Sequence, residues 1–237
     1  MGTQSHGTQR EFVVTVLIAL YKSGEFIESK INSLKMQTIF KESQIIFLNC
    51  QNHDNESAYY QDFAKDNDNV IDINFPERIS LYKSWNIGIQ STKSKYITNY
   101  NADDQWHPEY LEKCCKYLDQ NQDVSIVSTG VLVTDIPNQL WPNWKYFGKM
   151  PFHAYPLSSA GPCPVWRRCL HDRYGYFGDY DVIGDARMWE KYDSGNEKFG
   201  LIDENLALYY TSPNSLERRR DPETGQLLRD LDLEKNN

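Results

Sequence analysis

The stretch KYITNYNADDQWHPEYLE, Lys95–Glu112, decides the fold. Tyr96, Ile97 and Tyr100 are aromatic or β-branched and follow the polar run Ser91–Lys95, which reads as a buried strand. Pro108 sits at a first-turn position, and Tyr110, Leu111, Cys114, Tyr117 and Leu118 recur at helical spacing. Between strand and helix lies Asn101-Ala102-Asp103-Asp104. Acidic residues just past the carboxyl end of a strand are where open α/β sheets place ligand chemistry. Two adjacent carboxylates repel, and a hard divalent cation carrying a substrate phosphate compensates them. The competing reading is a helix N-terminus, with one Asp as cap and the other favoured by the dipole.

The rest of the chain extends this strand–helix unit in both directions. Phe12–Leu20 is a near-continuous apolar run, as in a parallel core. Ser23 is a cap candidate for a helix to about Gln37, with Phe26, Ile27, Ile31, Leu34 and Lys35 near a 3.6 period. Strands are expected at Gln44–Leu48 and Val70–Asn74, and helices at Ser57–Lys65 and Leu81–Gln90. The order β-α-β-α-β-α-β implies a mainly parallel sheet with right-handed crossovers. Val124–Thr134 is a further strand, and Phe199–Ile202 and Leu206–Tyr210 are short final ones. Val165–Tyr174 reads as an amphipathic helix with Arg167, Arg168 and Arg173 outward. Asp185 follows Gly184 and starts a helix whose apolar stripe is Met188, Trp189 and Tyr192. A carboxylate at that position reads either as an N-cap or as a general base aimed into a cleft.

Between Pro137 and Pro164 the chain is rich in proline and carries Trp141, Trp144, Tyr146, Phe147, Phe152 and Tyr155. It has no periodicity, and a loop of that length is either a binding loop or one packed on its own aromatics. The stretches 1–10 and 217–237 are read as a polar lead-in and a charged tail, a solvated helix or disorder, around one domain at 11–216. The domain is expected to divide into two halves, at about 11–110 and about 111–216.

Composition excludes several classes. The chain has 237 residues and a net charge of −8, which argues against a nucleic-acid surface. No apolar run reaches the length of a membrane span, and no signal-peptide pattern opens the chain. The five cysteines form no CxxC pair, which fits reduced thiols in a cytoplasmic protein. No Gly-rich phosphate loop is present, so phosphate has to be held by metal and side chains.

Taken in order, these motifs resemble those of family 2 glycosyltransferases of the GT-A fold, from about Val13 to about Ser215. The resemblance rests on VTVLIALYK, on Ser33, Leu34, Gln37 and Thr38, on Asn86-Ile87-Gly88, on the acidic loop, and on Gly184-Asp185 before Met188-Trp189. It implies a single Rossmann-like α/β domain that binds a nucleotide-diphospho-sugar and a divalent ion, Mn²⁺ or Mg²⁺. The acceptor would be a glycan, a lipid-linked molecule or a protein, met in the cytoplasm or at the inner face of a membrane. The implied donor-binding residues are Leu20, Tyr21, Asn49, Lys83, Asn101 and Asp103. Asp104 is expected as the direct metal ligand, with Asp103 sharing the metal or contacting ribose. Asp185 is expected as the base of an inverting transfer, and Trp166 and Trp189 as acceptor contacts. Three positions depart from the family pattern: Asn49-Cys50-Gln51-Asn52 replaces Asp-Asp-Gly-Ser, Asn101 replaces the first acid, and Lys22 replaces Asn. These departures motivate an alternative, a non-catalytic module of the same fold. A nucleotidyltransferase is a third reading, for which LYKSGEF supplies only Lys22 and Gly24 of the expected basic Gly-rich loop.

Overall fold

The structure is a computed structural model that describes residues 11–50, 56–150, 160–213 and 215–234. The lead-in, part of the Asn49–Asn52 loop and part of the aromatic stretch lie outside the described residues. The first half alternates as expected: β1 (Val14–Leu20), α1 (Gly24–Lys35), β2 (Ser43–Asn49), α2 (Glu56–Lys65), β3 (Val70–Asn74), α3 (Leu81–Gln90) and β4 (Tyr96–Asn99). These four strands pair in parallel in the order β3-β2-β1-β4. Along β1, side chains alternate between faces. Val14, Val16, Ile18 and Leu20 join a core with α1 and the acidic-loop aromatics, while Leu17 joins one with Tyr82, Trp85 and Trp166. Both faces of the strand are covered, which is why its sequence is an unbroken apolar run.

The second half is mixed. After the acidic loop come β5 (Gln105–Trp106), α4 (Tyr110–Gln120), β6 (Val124–Thr134), β7 (Gly148–Lys149), β8 (Val165–Arg167), α5 (Leu170–Tyr174), α6 (Gly184–Ser194), β9 (Lys198–Tyr210) and α7 (Leu228–Glu234). The single sheet has nine strands among the described residues, in the order β3-β2-β1-β4-β8-β6-β9-β5, with β7 on β6. It is parallel through β4, and β8 then runs antiparallel to both β4 and β6.

Four expectations change. Val165–Tyr174 is not one helix but β8 followed by a short helix. Arg167 does not face outward: its guanidinium donates to Val124 O (2.8 Å), Leu118 O (2.7 Å) and Asn121 O (3.2 Å), closing the carboxyl end of α4. The two final strands are one, β9, with a bulge where Gly130 faces it. A Cβ on Gly130 would lie 2.7 Å from Asn205 Oδ1 and 2.9 Å from Glu204 O, so only glycine lets the bulge approach. The charged tail folds back: a turn around Gly225 (φ 71°) leads into α7, whose Asp232 is fully buried. Among the described residues, no helix is long and apolar enough to cross a membrane.

Candidate active site

The acidic loop leaves the carboxyl end of β4 and returns through β5, which pairs with β9. Beneath it is an aromatic stack. Tyr100 and Trp106 lie face to face at 3.5 Å and 5°, and Trp106 and Tyr110 at 4.2 Å and 19°. Tyr100 OH meets Ser33 Oγ at 2.7 Å, and Tyr110 OH donates to Cys163 O at 2.6 Å. The loop is therefore fixed from below by rings that are buried and bonded at their polar ends.

The two aspartates of the loop have opposite environments. Asp104 is fully buried: its Oδ1 accepts from Tyr210 N (3.1 Å) and its Oδ2 from Asn101 Nδ2 (3.0 Å). Asp103 is only half-buried, and among the described residues no other side chain or amide holds its carboxylate. Lys30, fully buried on α1, donates to Asp104 O at 2.5 Å and lies 3.0 Å from the Tyr100 ring centre. Burial pushes the Asp104 carboxyl up to about 8, the Asp103 charge adds to this, and Lys30 opposes it. Burial brings the Lys30 amine down to about 7 against the attraction of Asp104 and Asp103. Asp103 is also raised, mainly by burial. Asp104 and Lys30 thus hold the loop in place, and Asp103 is the less buried of its two carboxylates. Asn101, expected to face the donor, donates to Asp104 instead.

Asp185 stands in the first turn of α6. Gly184 lets that turn touch α3, since a Cβ there would meet the Tyr82 ring at 2.6 Å. The single proton of Tyr82 OH is shared between Val182 O (2.5 Å) and Asp185 Oδ1 (3.0 Å), and Ala186 N donates to the same Oδ1 at 2.8 Å. Burial and the Asp185 charge push the Tyr82 phenol upward. The segment that leads into α6 is held from a distance. Asp232 on α7 accepts from Asp181 N (2.9 Å), Val182 N (2.6 Å) and Ile183 N (3.2 Å). These amides precede the first residue of α6, so a carboxylate 49 residues downstream fixes the segment that leads into the helix rather than capping the helix's own free amides. Sequence reading missed Asp232, because nothing local to LRDLDLE distinguishes it from a surface acid.

The other expected donor contacts divide. Tyr21 is half-buried, with the Arg78 guanidinium 4.5 Å from its ring centre and Lys22 Nζ at 5.5 Å. Lys22 has φ 53°, a left-handed backbone uncommon for lysine, at the turn that follows β1. Lys83 is exposed on α3. Leu20 is a core residue, 0% exposed. Asn49 points inward: its Nδ2 donates to Tyr60 OH (2.7 Å) and Asn74 Oδ1 (2.8 Å), so its amide donors are spent inside the fold. Trp166 and Trp189, expected against an acceptor, are 0% and 2% exposed and pack on each other at 5.4 Å. They are core residues, because β8 places Trp166 mid-sheet and α6 turns its apolar stripe onto it.

No cluster of three or more His, Cys, Asp or Glu side chains suited to a metal occurs among the described residues. A Mg²⁺- or Mn²⁺-type ion needs no such cluster, since it takes one or two carboxylates and completes its shell with water and substrate phosphate.

Comparison with known proteins bears on the family and the fold. The model of the family described as glycosyl transferase family 2 matches residues 15–198. An uncharacterized glycosyltransferase of Methanocaldococcus jannaschii is 25% identical over 214 residues, covering 85% of this chain and 71% of the relative. The uncharacterized glycosyltransferase EpsJ of Bacillus subtilis is 27% identical over 220 residues, covering 86% and 62%. Among solved structures, S. aureus TarS 1–349 in complex with UDP-GlcNAc superposes with a TM-score of 0.71 at 13% identity, over 85% of this chain and 59% of that one. The mannosyltransferase PcManGT of Pyrobaculum calidifontis, in complex with GDP-Man and Mn²⁺, gives 0.66 at 15%, over 86% and 59%. This chain thus spans well under two thirds of those two structures. The chain belongs to glycosyl transferase family 2, with the fold those glycosyltransferase structures share.

Proposed function

We propose that the chain transfers a sugar from a nucleotide-diphospho-sugar to a glycan, lipid-linked or protein acceptor, with inversion, in cytoplasmic glycan biosynthesis. The observation that carries this reading is the division of labour among the three carboxylates. Asp104 is consumed by the fold, Asp103 is only partly buried and, among the described residues, not bonded to another residue in the loop past the carboxyl end of β4, and Asp185 is held at a helix start by Tyr82 and its own turn. Asp103 would hold Mn²⁺ or Mg²⁺ together with the donor diphosphate. The ion, when bound, offsets the charge that grows on the leaving nucleotide. Asp185 takes the proton of the acceptor hydroxyl as that oxygen bonds to the anomeric carbon and the bond to the diphosphate oxygen breaks. One base with no second carboxylate as nucleophile fits a single inverting displacement. The Tyr21–Arg78 pair, just past the end of β1, would offer the nucleotide an aromatic and cationic surface.

The second reading, a donor-binding module without turnover, is favoured by Asn101 in place of an acid and by the inward amide of Asn49. One experiment separates the two. Thermal shifts are measured with UDP, GDP, CDP and dTDP, each with and without Mn²⁺, for the parent, Asp103→Asn and Asp185→Asn. A ligand at about 100 times its Kd stabilises by about 2.7 kcal/mol. A metal-dependent shift with one nucleotide, lost in Asp103→Asn and kept in Asp185→Asn, is expected. Hydrolysis or transfer of the matching nucleotide-sugar should then fall on the order of 10²–10⁴-fold in Asp185→Asn. Binding without any turnover in the parent selects the module reading, and no shift with any nucleotide removes both.

A further inference from the structure

A cavity of about 540 Å³ opens between the start of α4, the bulge of β9 and the loop after β6. His107, Glu109, Lys113, Trp141, Tyr146 and Glu204 are among its walls, and neither Asp103 nor Asp185 borders it. The loop that supplies the two aromatic residues is firmly built. Gln139 Nε2 reaches Thr134 Oγ1 (2.8 Å) and Lys145 O (3.0 Å), and its Oε1 accepts from Lys145 N (2.5 Å). Asn138, at φ 59°, donates to Glu25 O (2.9 Å) and accepts from Ser29 Oγ (2.7 Å), which ties the loop to α1. Trp144 anchors it against Leu132 and Leu208.

In this pinned loop, Trp141 stays 37% exposed and Tyr146 55% exposed. Trp141 is held edge-on between His107 (4.4 Å, 66°) and Trp144 (5.2 Å, 83°). Facing the rings is a polar wall. Lys113 Nζ lies 3.1 Å from Glu109 Oε2 and 2.6 Å from Glu204 Oε2. His107 Nδ1 accepts from Glu109 N at 3.1 Å, so the neutral ring carries its proton on Nε2.

The chemistry selects a class of ligand. Fixed aromatic faces suit the C–H face of a pyranose, and the carboxylates, amine and imidazole suit its hydroxyls. Two carboxylates against one lysine repel phosphate, which disfavours nucleotides and phospholipid headgroups. The volume lies within the usual range for small-molecule sites. We propose that this cavity is a second carbohydrate-binding site, docking a neutral saccharide away from both Asp103 and Asp185, which do not line it.

The test is saturation-transfer NMR on the full chain, with Trp fluorescence titration. The probes are the methyl glycosides of glucose, galactose, mannose and N-acetylglucosamine, and the disaccharides maltose, cellobiose and lactose. At least one is expected to bind with a Kd on the order of 1 mM. Trp141→Ala and Glu204→Gln should each weaken it by about tenfold, equivalent to about 1.4 kcal/mol. Trp141→Phe, which keeps a ring, should recover much of the loss, and Asp103→Asn should leave saccharide binding intact. Glu204→Gln keeps the side-chain shape, so the test stands even if Trp141→Ala fails to fold. No transfer to any probe would overturn the proposal. So would undiminished binding in both Trp141→Ala and Glu204→Gln, or displacement of the saccharide by UDP with Mn²⁺.

Discussion

Asp103 and Asp104 are adjacent in the chain yet meet different physics. Asp104 satisfies Tyr210 N and Asn101 Nδ2 inside the fold, so its removal leaves buried donors unpaired. Asp104→Ala is expected to lower stability by about 2–4 kcal/mol. Asp103→Ala should change stability by under about 1 kcal/mol while removing metal-dependent nucleotide binding. Urea denaturation of the two variants checks the contrast, and equal losses would contradict it. Lys30 adds a pH signature. Its folded-state value is lowered from 10.5 to about 7, so the unfolded chain binds more protons between those limits. Stability from this group therefore rises with pH through that window and is lost as pH falls toward 7. Lys30→Met, which keeps the unbranched shape, should gain on the parent as pH falls from about 10 to about 7, by a few kcal/mol at most. Denaturation midpoints that stay parallel across this range would rule out Lys30 as the cause. The sequence carried part of this signal. The buried face of α1 is Ile27, Lys30, Ile31 and Leu34, and a lysine at that phase was visible. Reading Lys35 into the stripe instead hid it, because long side chains count ambiguously when only spacing is known.

At the scale of elements, the parallel half was legible. β3 and α3 span the residues their patterns indicate, since apolar runs and helical stripes are local properties. The second half was less so. β8 is three residues long and is a strand only because β4 and β6 flank it, whereas its local pattern suits a helix equally. The same holds for α7, whose charged sequence reads as solvated while Asp232 is buried against the start of α6. This contact lies between the tail and the turn that carries Asp185. Asp232→Ala should leave the three amides of Asp181, Val182 and Ile183 without their acceptor, at about 1–2 kcal/mol. Because Asp185 follows these residues directly, kcat should fall several-fold while the nucleotide-dependent thermal shift stays at the parental size. Glu234→Gln, an exposed change on the same helix, should do neither. If Asp232→Ala loses stability but keeps kcat, the contact is structural only.

Across the whole molecule, one strand joins two differently built halves. β8 inserts between parallel β4 and mixed β6, and Trp166 stands opposite both Ile97 and Ile126. Its ring meets Trp189 at 5.4 Å and Phe177 at 6.3 Å, and its Nε1 donates to His171 Nε2 at 2.9 Å. The parallel half and the Asp185 end therefore share one core rather than two cores meeting at a surface. A chain of this length can unfold through intermediates when its parts are separable. Here the shared strand predicts a single transition with coincident fluorescence and circular-dichroism midpoints. Trp166→Ala removes the largest side chain at the joint and should cost about 3–5 kcal/mol. The loss should shift the whole transition, because both halves need β8 to complete the sheet. If the variant instead showed two separated transitions, one still responsive to nucleotide, the halves would be independent folding units and β8 only a seam between them.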